Sequence, residues 1–121
     1  GRNEESLAAA RAAMGDLPAG SAGWCRAAAA GLPAAGRTND RPALDALVDA
    51  LVALAPVEDP SPDRITAWSQ AAIQLVFQGR VEQAGTMLDA IPIAAAQREP
   101  GSAAWVARAR AWRPHSRRHT R

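Results

Sequence analysis

Apolar residues along the chain recur at intervals of three and four positions, the spacing that places side chains on one face of an α-helix. The clearest case is residues 41–55, whose apolar stripe consists of Leu44, Leu47, Val48, Leu51 and Ala55. No run alternates apolar and polar residues between turn signals, so β-strands are not predicted. The pattern predicts six helices, over residues 4–14, 22–35, 41–55, 62–78, 81–91 and 103–112.

Residues that favour helix ends support several of these boundaries. Ser21 and Ser61 each precede a predicted helix, where a serine hydroxyl accepts a hydrogen bond from a free backbone amide. Pro62 then occupies a first helical turn, where its missing N–H costs nothing. Pro33 lies inside the second predicted helix, where it would cost ~3 kcal/mol if the helix continued regularly. We therefore expect that helix to end near Ala30.

A degenerate repeat runs through this helical pattern. The dipeptide Gly-Arg occurs three times, at residues 1–2, 36–37 and 79–80. Trp24 lies twelve residues before Gly36, and Trp68 lies eleven residues before Gly79. The segment leading into a tryptophan also recurs, as Gly-Ser-Ala-Gly-Trp at 20–24 and Gly-Ser-Ala-Ala-Trp at 101–105. These intervals predict a repeat of about 35–43 residues, with two helices joined at a Gly-Arg turn.

This order of residues resembles the tetratricopeptide-type helical repeats. Trp68, Gly79 and Ala84 match that family's early aromatic, its glycine near the end of the first helix, and its small residue at the helix crossing. The resemblance covers most of residues 1–112 and implies an all-α, right-handed stack of antiparallel helix hairpins. Such an α-solenoid fragment would contain about six helices and begin and end within a repeat. Residues 113–121 are expected to form a basic, disordered C-terminal tail.

The charge distribution separates the C-terminal end from the rest of the chain. Residues 1–97 hold seven arginines and eleven acidic residues, whereas residues 98–121 hold seven arginines and only Glu99. Lysine is absent throughout. The all-arginine alphabet and the Gly-Arg turns resemble helical regions appended to bacterial serine/threonine kinases and signalling ATPases. The start at Gly1 without a methionine leads us to expect an excerpt of a longer protein. The single cysteine and the lack of a signal-peptide pattern lead us to expect a cytoplasmic setting.

The expected function is therefore a protein–protein interaction or scaffolding module, a regulatory part of a larger bacterial signalling protein. One alternative is the C-terminal, non-catalytic portion of a kinase or ATPase whose active site lies upstream. A further alternative is a nucleic-acid-associated protein that uses the arginine-rich tail. No enzyme activity and no cofactor are expected for this fragment. Its partner is expected to be a protein or peptide, and no segment reaches the ~18 apolar residues that cross a bilayer.

Two sets of residues are candidates for contact with a partner. Tryptophans are frequent at binding hot spots, but the same side chains at helical spacing also serve as packing residues. The first set is Trp24, Trp68, Trp105 and Trp112. Arginines suit phosphate groups, although a solvated tail is the alternative interpretation. The second set is Arg108, Arg110, Arg113, Arg117 and Arg118.

Residues with catalytic or metal-binding chemistry are few. Cys25 is the only cysteine, and we interpret it as a buried, unreactive thiol. His115 and His119 have i, i+4 spacing but no cysteine or carboxylate nearby, so a metal site is not expected. The remaining candidates are carboxylates that we interpret as solvated or as helix N-terminal charge: Asp40, Asp45, Asp49, Glu58, Asp59 and Asp63.

Overall fold

The computed structural model describes residues 1–55 and 60–91, and within these ranges it contains helices and no strand. The helices are α1 (Arg2–Asp16), α2 (Ala22–Arg37), α3 (Arg41–Val52), α4 (Pro62–Phe77) and α5 (Val81–Asp89). The all-α prediction is confirmed for this part of the chain. The sixth predicted helix, residues 103–112, lies outside the described residues.

Helices α2 and α4 form the centre of the fold and pack directly against each other. Helix α1 packs on α2, α3 packs on both α2 and α4, and α5 packs on α4. The side chains between them form one hydrophobic cluster. Its largest fully buried apolar members are Leu32, Leu44, Leu51, Ile65, Leu75, Met87, Leu88 and Val48. The helices are therefore held together chiefly by burial of aliphatic side chains.

The start of α2 and the start of α4 are built in the same way. Ser21 Oγ accepts a hydrogen bond from Trp24 N at 3.3 Å, and Ser61 Oγ accepts one from Arg64 N at 3.2 Å. Both serines have extended backbone angles, as N-caps require. Both caps were predicted from the sequence, and both helices are 16 residues long. Ser61 follows Ser21 by forty positions along the chain, and we call this displacement the pair offset.

The turns that end α2 and α4 are also alike, and the pair offset superimposes one on the other. The amide of Asn39 donates to Gly36 O and that of Asp40 to Ala35 O, while Gly79 donates to Val76 O and Arg80 to Leu75 O. Asn39 and Gly79 both adopt positive φ, at 55° and 78°. A left-handed residue of this kind terminates a helix and redirects the chain. Helices α2 and α3 thus form one pair and helices α4 and α5 a second pair, and the same type of turn connects the two helices within each pair.

The predicted alignment of the two pairs on their tryptophans and glycines is wrong. Trp24 is the third residue of α2, but Trp68 is the seventh residue of α4, one helical turn later. Gly36 lies inside α2, and the left-handed position that corresponds to Gly79 belongs to Asn39. Positions one helical turn apart lie on the same face of a helix. The tryptophan can therefore occupy either position of the two aligned helices and stay on that face.

The expectation that Pro33 ends the second helix is also wrong. Helix α2 continues through Pro33 to Arg37. Leu32, Ala34 and Ala35 flank the proline and are almost completely buried. Burial of these side chains against neighbouring helices offsets the backbone hydrogen bond that proline removes.

The ends of the other predicted helices shift by a few residues. Helix α3 stops at Val52, so Ala55 is exposed and does not extend the buried stripe. The remaining predicted stripe residues of α3 are buried: Leu44, Leu47, Val48 and Leu51. Helix α5 ends at Asp89, two residues before its predicted end. Leu7 and Ala10 are the buried residues of α1.

Candidate functional site

Helices α2 and α4 each present one solvent-facing stripe, and together these stripes form what we call the α2–α4 face. Its members recur at i, i+4 and i+11 on each helix and correspond to one another by the pair offset: Arg26, Ala30 and Arg37 on α2, and Thr66, Gln70 and Phe77 on α4. The three α2 residues and Phe77 are exposed, while Thr66 and Gln70 are half-buried. The face belongs to the two central helices, so its backbone is supported on the opposite side by the core.

An ion pair crosses the α2–α4 face between the two helices. Arg26 Nη1 donates to Asp63 Oδ2 at 3.1 Å. The arginine side chain is well exposed and the aspartate is about one-third exposed, so solvent screens the pair. We therefore regard this pair as a contact that orients Arg26 rather than as a main source of stability.

The apolar end of the α2–α4 face is Phe77. Its exposed fraction is 58%, the largest among the exposed large hydrophobic residues of the described chain. Arg37 occupies the corresponding position on α2. An exposed aromatic ring beside a cationic helix stripe can contact a ligand that carries both apolar and acidic groups.

A close helix crossing sets the distance between the two stripes. A side chain at Gly36 would overlap the Gln74 side chain of α4. Gln74 is itself buried. Glycine at this position makes room for the end of the Gln74 side chain, and its backbone angles are helical. The corresponding residue of α4 is Val76, which carries a side chain.

A separate open pocket lies between α1 and the α2–α3 turn, with a volume of about 440 Å³. Its lining combines both charge signs with apolar residues: Glu4, Leu7, Ala8, Arg11, Thr38 and Asp40. Asp40 is occupied as a helix cap, because its Oδ1 accepts a hydrogen bond from Ala43 N at 3.1 Å. Of the charged lining residues, Asp40 therefore serves the start of α3.

The tryptophans of the described region belong to the packing of the molecule. Trp24 is 5% exposed and lies in the core, as the packing interpretation predicts. Trp68 is half-buried and packs against the same core. Its indole Nε1 is buried and has no hydrogen-bond partner. The use of tryptophans as partner anchors stays a prediction, but the solvent-facing stripe of these helices consists of other residues.

Cys25 is a buried thiol, as the sequence suggested. Its Sγ lies 3.7 Å from the carbonyl oxygen of Gly20. Burial raises the pKa of the Cys25 thiol, against the opposing effect of the nearby Arg64 guanidinium. A raised pKa leaves little thiolate at neutral pH, which makes the sulfur a poor nucleophile.

Three of the candidate carboxylates have structural partners. Asp40 caps α3, Asp63 pairs with Arg26, and Asp45 pairs with Arg80. Asp49 is exposed on α3. Glu58 and Asp59 lie outside the described residues. Asp40 is therefore the carboxylate that most directly places negative charge at a helix N-terminus. Its role as the cap of α3 was not identified from the sequence.

The remaining candidate residues also lie outside the described ranges. They are Trp105, Trp112, His115, His119, Arg108, Arg110, Arg113, Arg117 and Arg118. Across residues 1–55 and 60–91, no group of three histidine, cysteine or acidic residues has the geometry to hold a metal ion. In the same ranges no helix combines the length and apolar character needed to cross a bilayer.

The comparisons with known proteins return no relative. No protein-family model matches the chain, and it has no match among the curated proteins or the solved structures. The α2–α4 face must therefore be interpreted from its own residues.

Proposed function

We propose that the chain is a protein-interaction module that binds a peptide segment of a partner on the α2–α4 face. The observation that carries this proposal is the pair of matching stripes on two adjacent helices, with arginines on α2 and an exposed Phe77 on α4. The ligand is a segment with acidic and apolar side chains. Acidic groups would contact Arg37 and Arg26, and an apolar group would cover Phe77.

The helix arrangement supports a repeat scaffold of the tetratricopeptide type. Two helix pairs share the same N-cap and the same turn, and both features are related by the pair offset. Their first helices, α2 and α4, pack side by side, and α3 lies against both. A right-handed stack of antiparallel hairpins would produce these neighbour relations and would leave the first helices as the binding surface.

The same proposal assigns no catalysis to this fragment. Four candidate residues of the described ranges have structural roles that support this: Cys25 is buried, Asp40 caps a helix, and Asp45 and Asp63 form ion pairs. We propose that the fragment acts as a regulatory or scaffolding part of a larger bacterial signalling protein in the cytoplasm. A kinase or ATPase domain upstream would supply any chemistry.

A peptide selection tests the binding proposal even though the partner is unidentified. The full chain is immobilised and challenged with a displayed library of random peptides, and enriched peptides are synthesised and titrated. We expect them to contain acidic and apolar residues. The double substitution Arg37→Ala, Phe77→Ala should weaken their binding at least about tenfold, the loss expected when contacts worth ~1.4 kcal/mol disappear.

The matched control is Val52→Ala on α3. Val52 is 54% exposed, similar to Phe77, but it lies away from the α2–α4 face. The control variant should bind the selected peptides as the parent chain does. Selected peptides that bind the double variant and the parent equally would overturn the assignment of this face, and a selection that enriches nothing would count against the function itself.

A further inference from the structure

The second helices of the two pairs, α3 and α5, also present matching stripes to solvent. The members of each stripe recur at i, i+4 and i+7, and the pair offset relates one stripe to the other. We call this surface the α3–α5 face, and it is the counterpart of the α2–α4 face on the first helices. All six of its residues are exposed: Pro42, Ala46 and Asp49 on α3, and Glu82, Thr86 and Asp89 on α5.

The α2–α4 face and the α3–α5 face lie on opposite sides of the molecule. Asp49 of α3 is two residues from Leu47, which corresponds to about 200° of rotation round the helix axis. Leu47 is buried and lies beside Gly31 of α2. On α2, Ala30 is likewise two residues from Leu32, which is completely buried in the core. Because the core lies between the helices, each stripe faces away from it, and one copy of the chain presents both faces to solvent.

The two faces carry charges of opposite sign. Arg26 and Arg37 lie on the α2–α4 face. Acidic residues lie on the α3–α5 face: Asp49, Glu82 and Asp89. Within residues 1–55 and 60–91, no ion pair occupies Arg37, Asp49 or Glu82. Arg41 lies only at the rim of the α3–α5 face, where α3 starts. Each face is therefore electrostatically complementary to the other.

The apolar residues of the two faces also match. Among the described residues, two large hydrophobic side chains are more than half exposed, Phe77 at 58% and Val52 at 54%. Phe77 belongs to the α2–α4 face, and Val52 follows Asp49 by three residues on α3. Asp49 and Val52 thus share one side of α3. They form an acidic and apolar helix segment, which is the kind of ligand proposed above for the α2–α4 face.

We infer that the partner of the α2–α4 face is the α3–α5 face of a second copy of this chain. The inference rests on the proposed function, because it uses the same face and the same ligand chemistry and names the source of the segment. In this contact the arginines of one copy lie against the acidic residues of the other, and Phe77 packs on Val52.

The position of the two faces determines the kind of assembly. Because they lie on opposite sides of the molecule, each copy binds one neighbour through each face. Such a heterologous contact produces an open chain of copies and not a closed dimer. Solvent-exposed ion pairs contribute little each and are screened by salt, so the association is weak and is strongest at low salt.

Two charge-reversal variants of the full chain test this contact. Arg37→Glu disrupts the α2–α4 face and leaves the α3–α5 face intact, and Asp49→Arg does the reverse. In sedimentation equilibrium at low salt, the average mass of the parent chain should rise with concentration beyond that of a dimer. Each variant alone should associate at least about tenfold more weakly, because like charges oppose each other across the contact. An equimolar mixture should recover association, because each variant retains the face that the other has lost.

The matched control is Arg11→Glu on α1. It makes the same change in net charge as Arg37→Glu, but Arg11 lines the pocket beside α1 and belongs to neither face. This variant should associate as the parent chain does. Circular dichroism checks that all variants keep the helix content of the parent, which is expected because the three substituted residues are exposed.

Several outcomes would overturn the inference. One is a parent chain that stays monomeric at millimolar concentration. Others are association that neither face variant weakens, a mixture that associates no better than its components, or a control that loses association equally. A saturating peptide from the selection should dissociate the assembly, since both occupy the α2–α4 face, and an unaffected assembly would also contradict the contact.

The failure of this inference is distinguishable from the failure of the proposed function. Selected peptides that bind the α2–α4 face of a chain that never associates would leave the proposed function standing without this partner. A selection that enriches nothing, together with a mixture that associates, would instead support the contact between copies and count against binding of separate peptides.

Discussion

The α2–α3 pair and the α4–α5 pair share one backbone design but reach it with different residues. Asn39 and Gly79 supply the same left-handed turn, and Asp40 and Arg80 follow it as the N-caps of α3 and α5. Asp40 accepts a hydrogen bond from the helix it caps, whereas Arg80 pairs instead with Asp45 of α3. The backbone geometry is therefore retained while the side chains that stabilise it change.

The core shows the same exchange of residues. Leu32 of α2 corresponds to Ala72 of α4, while Ala35 of α2 corresponds to Leu75 of α4, and all four are buried. At these two positions each helix buries one leucine and one alanine, but in the opposite order. Across these two positions the summed side-chain volume is the same in both helices although the residues differ, an exchange that a packed core tolerates.

The largest expected effect comes from the removal of Leu75, the leucine that α4 buries at these two positions. Leu75→Ala should lower the free energy of unfolding by about 3 kcal/mol, because it removes a fully buried side chain and leaves a cavity. Urea denaturation of the full chain measures the change. Val52→Ala, at an exposed position of α3, should cost less than about 0.5 kcal/mol. Similar losses for both variants would mean that α4 is not packed as described.

The next effect concerns the close crossing at Gly36. Gly36→Ala should destabilise the fold by about 1–3 kcal/mol, because the added methyl group overlaps the buried Gln74 side chain. The double variant Gly36→Ala, Gln74→Ala should recover most of the loss due to the glycine substitution. Denaturation of the two single variants and the double variant yields the coupling energy. Strictly additive losses would contradict a contact between these residues.

A smaller effect should distinguish the two caps. Asp40→Ala should cost about 1 kcal/mol, because the amide of Ala43 loses its acceptor. Arg80→Ala removes no cap hydrogen bond and only a partly exposed ion pair, so its cost should be below about 1 kcal/mol. Thermal unfolding at low and high salt distinguishes the effects of the two substitutions. Salt should reduce the effect of the arginine substitution more than that of the aspartate substitution.

The smallest effect concerns the turn residues. Gly79→Ala should cost about 1 kcal/mol, since φ is positive although space for a methyl group is available. Gly79→Asn should cost less, because Asn39 already occupies the corresponding position with φ of 55°. Gly15→Ala is the control, as Gly15 is helical and has room for a side chain, and alanine there should stabilise the chain. Thermal unfolding would contradict this account if asparagine and alanine at position 79 were equivalent.

Much of the secondary structure was predictable, and the candidate site was not. The apolar spacing of α3 and the serine caps of α2 and α4 are local signals, and the structure has them where they were predicted. The α2–α4 face depends on which stripe of each helix stays uncovered. Which stripe stays uncovered depends on the packing of neighbouring helices. The prediction based on tryptophans therefore selected Trp24, which is a core residue, and missed Arg37 and Phe77, which are exposed.

The sequence by itself determined that the described part of this chain forms helices, and where most of them begin, because caps and apolar periodicity act over a few residues. Only the tertiary structure decided the alignment of the two pairs and the continuation of α2 past Pro33. Alignment of Trp24 on Trp68 conflicts with the alignment of Asn39 on Gly79 that the shared turns require. The difference is one helical turn, and it is decided by packing across helices, because a tryptophan can move one turn along a helix face without changing the face it lies on.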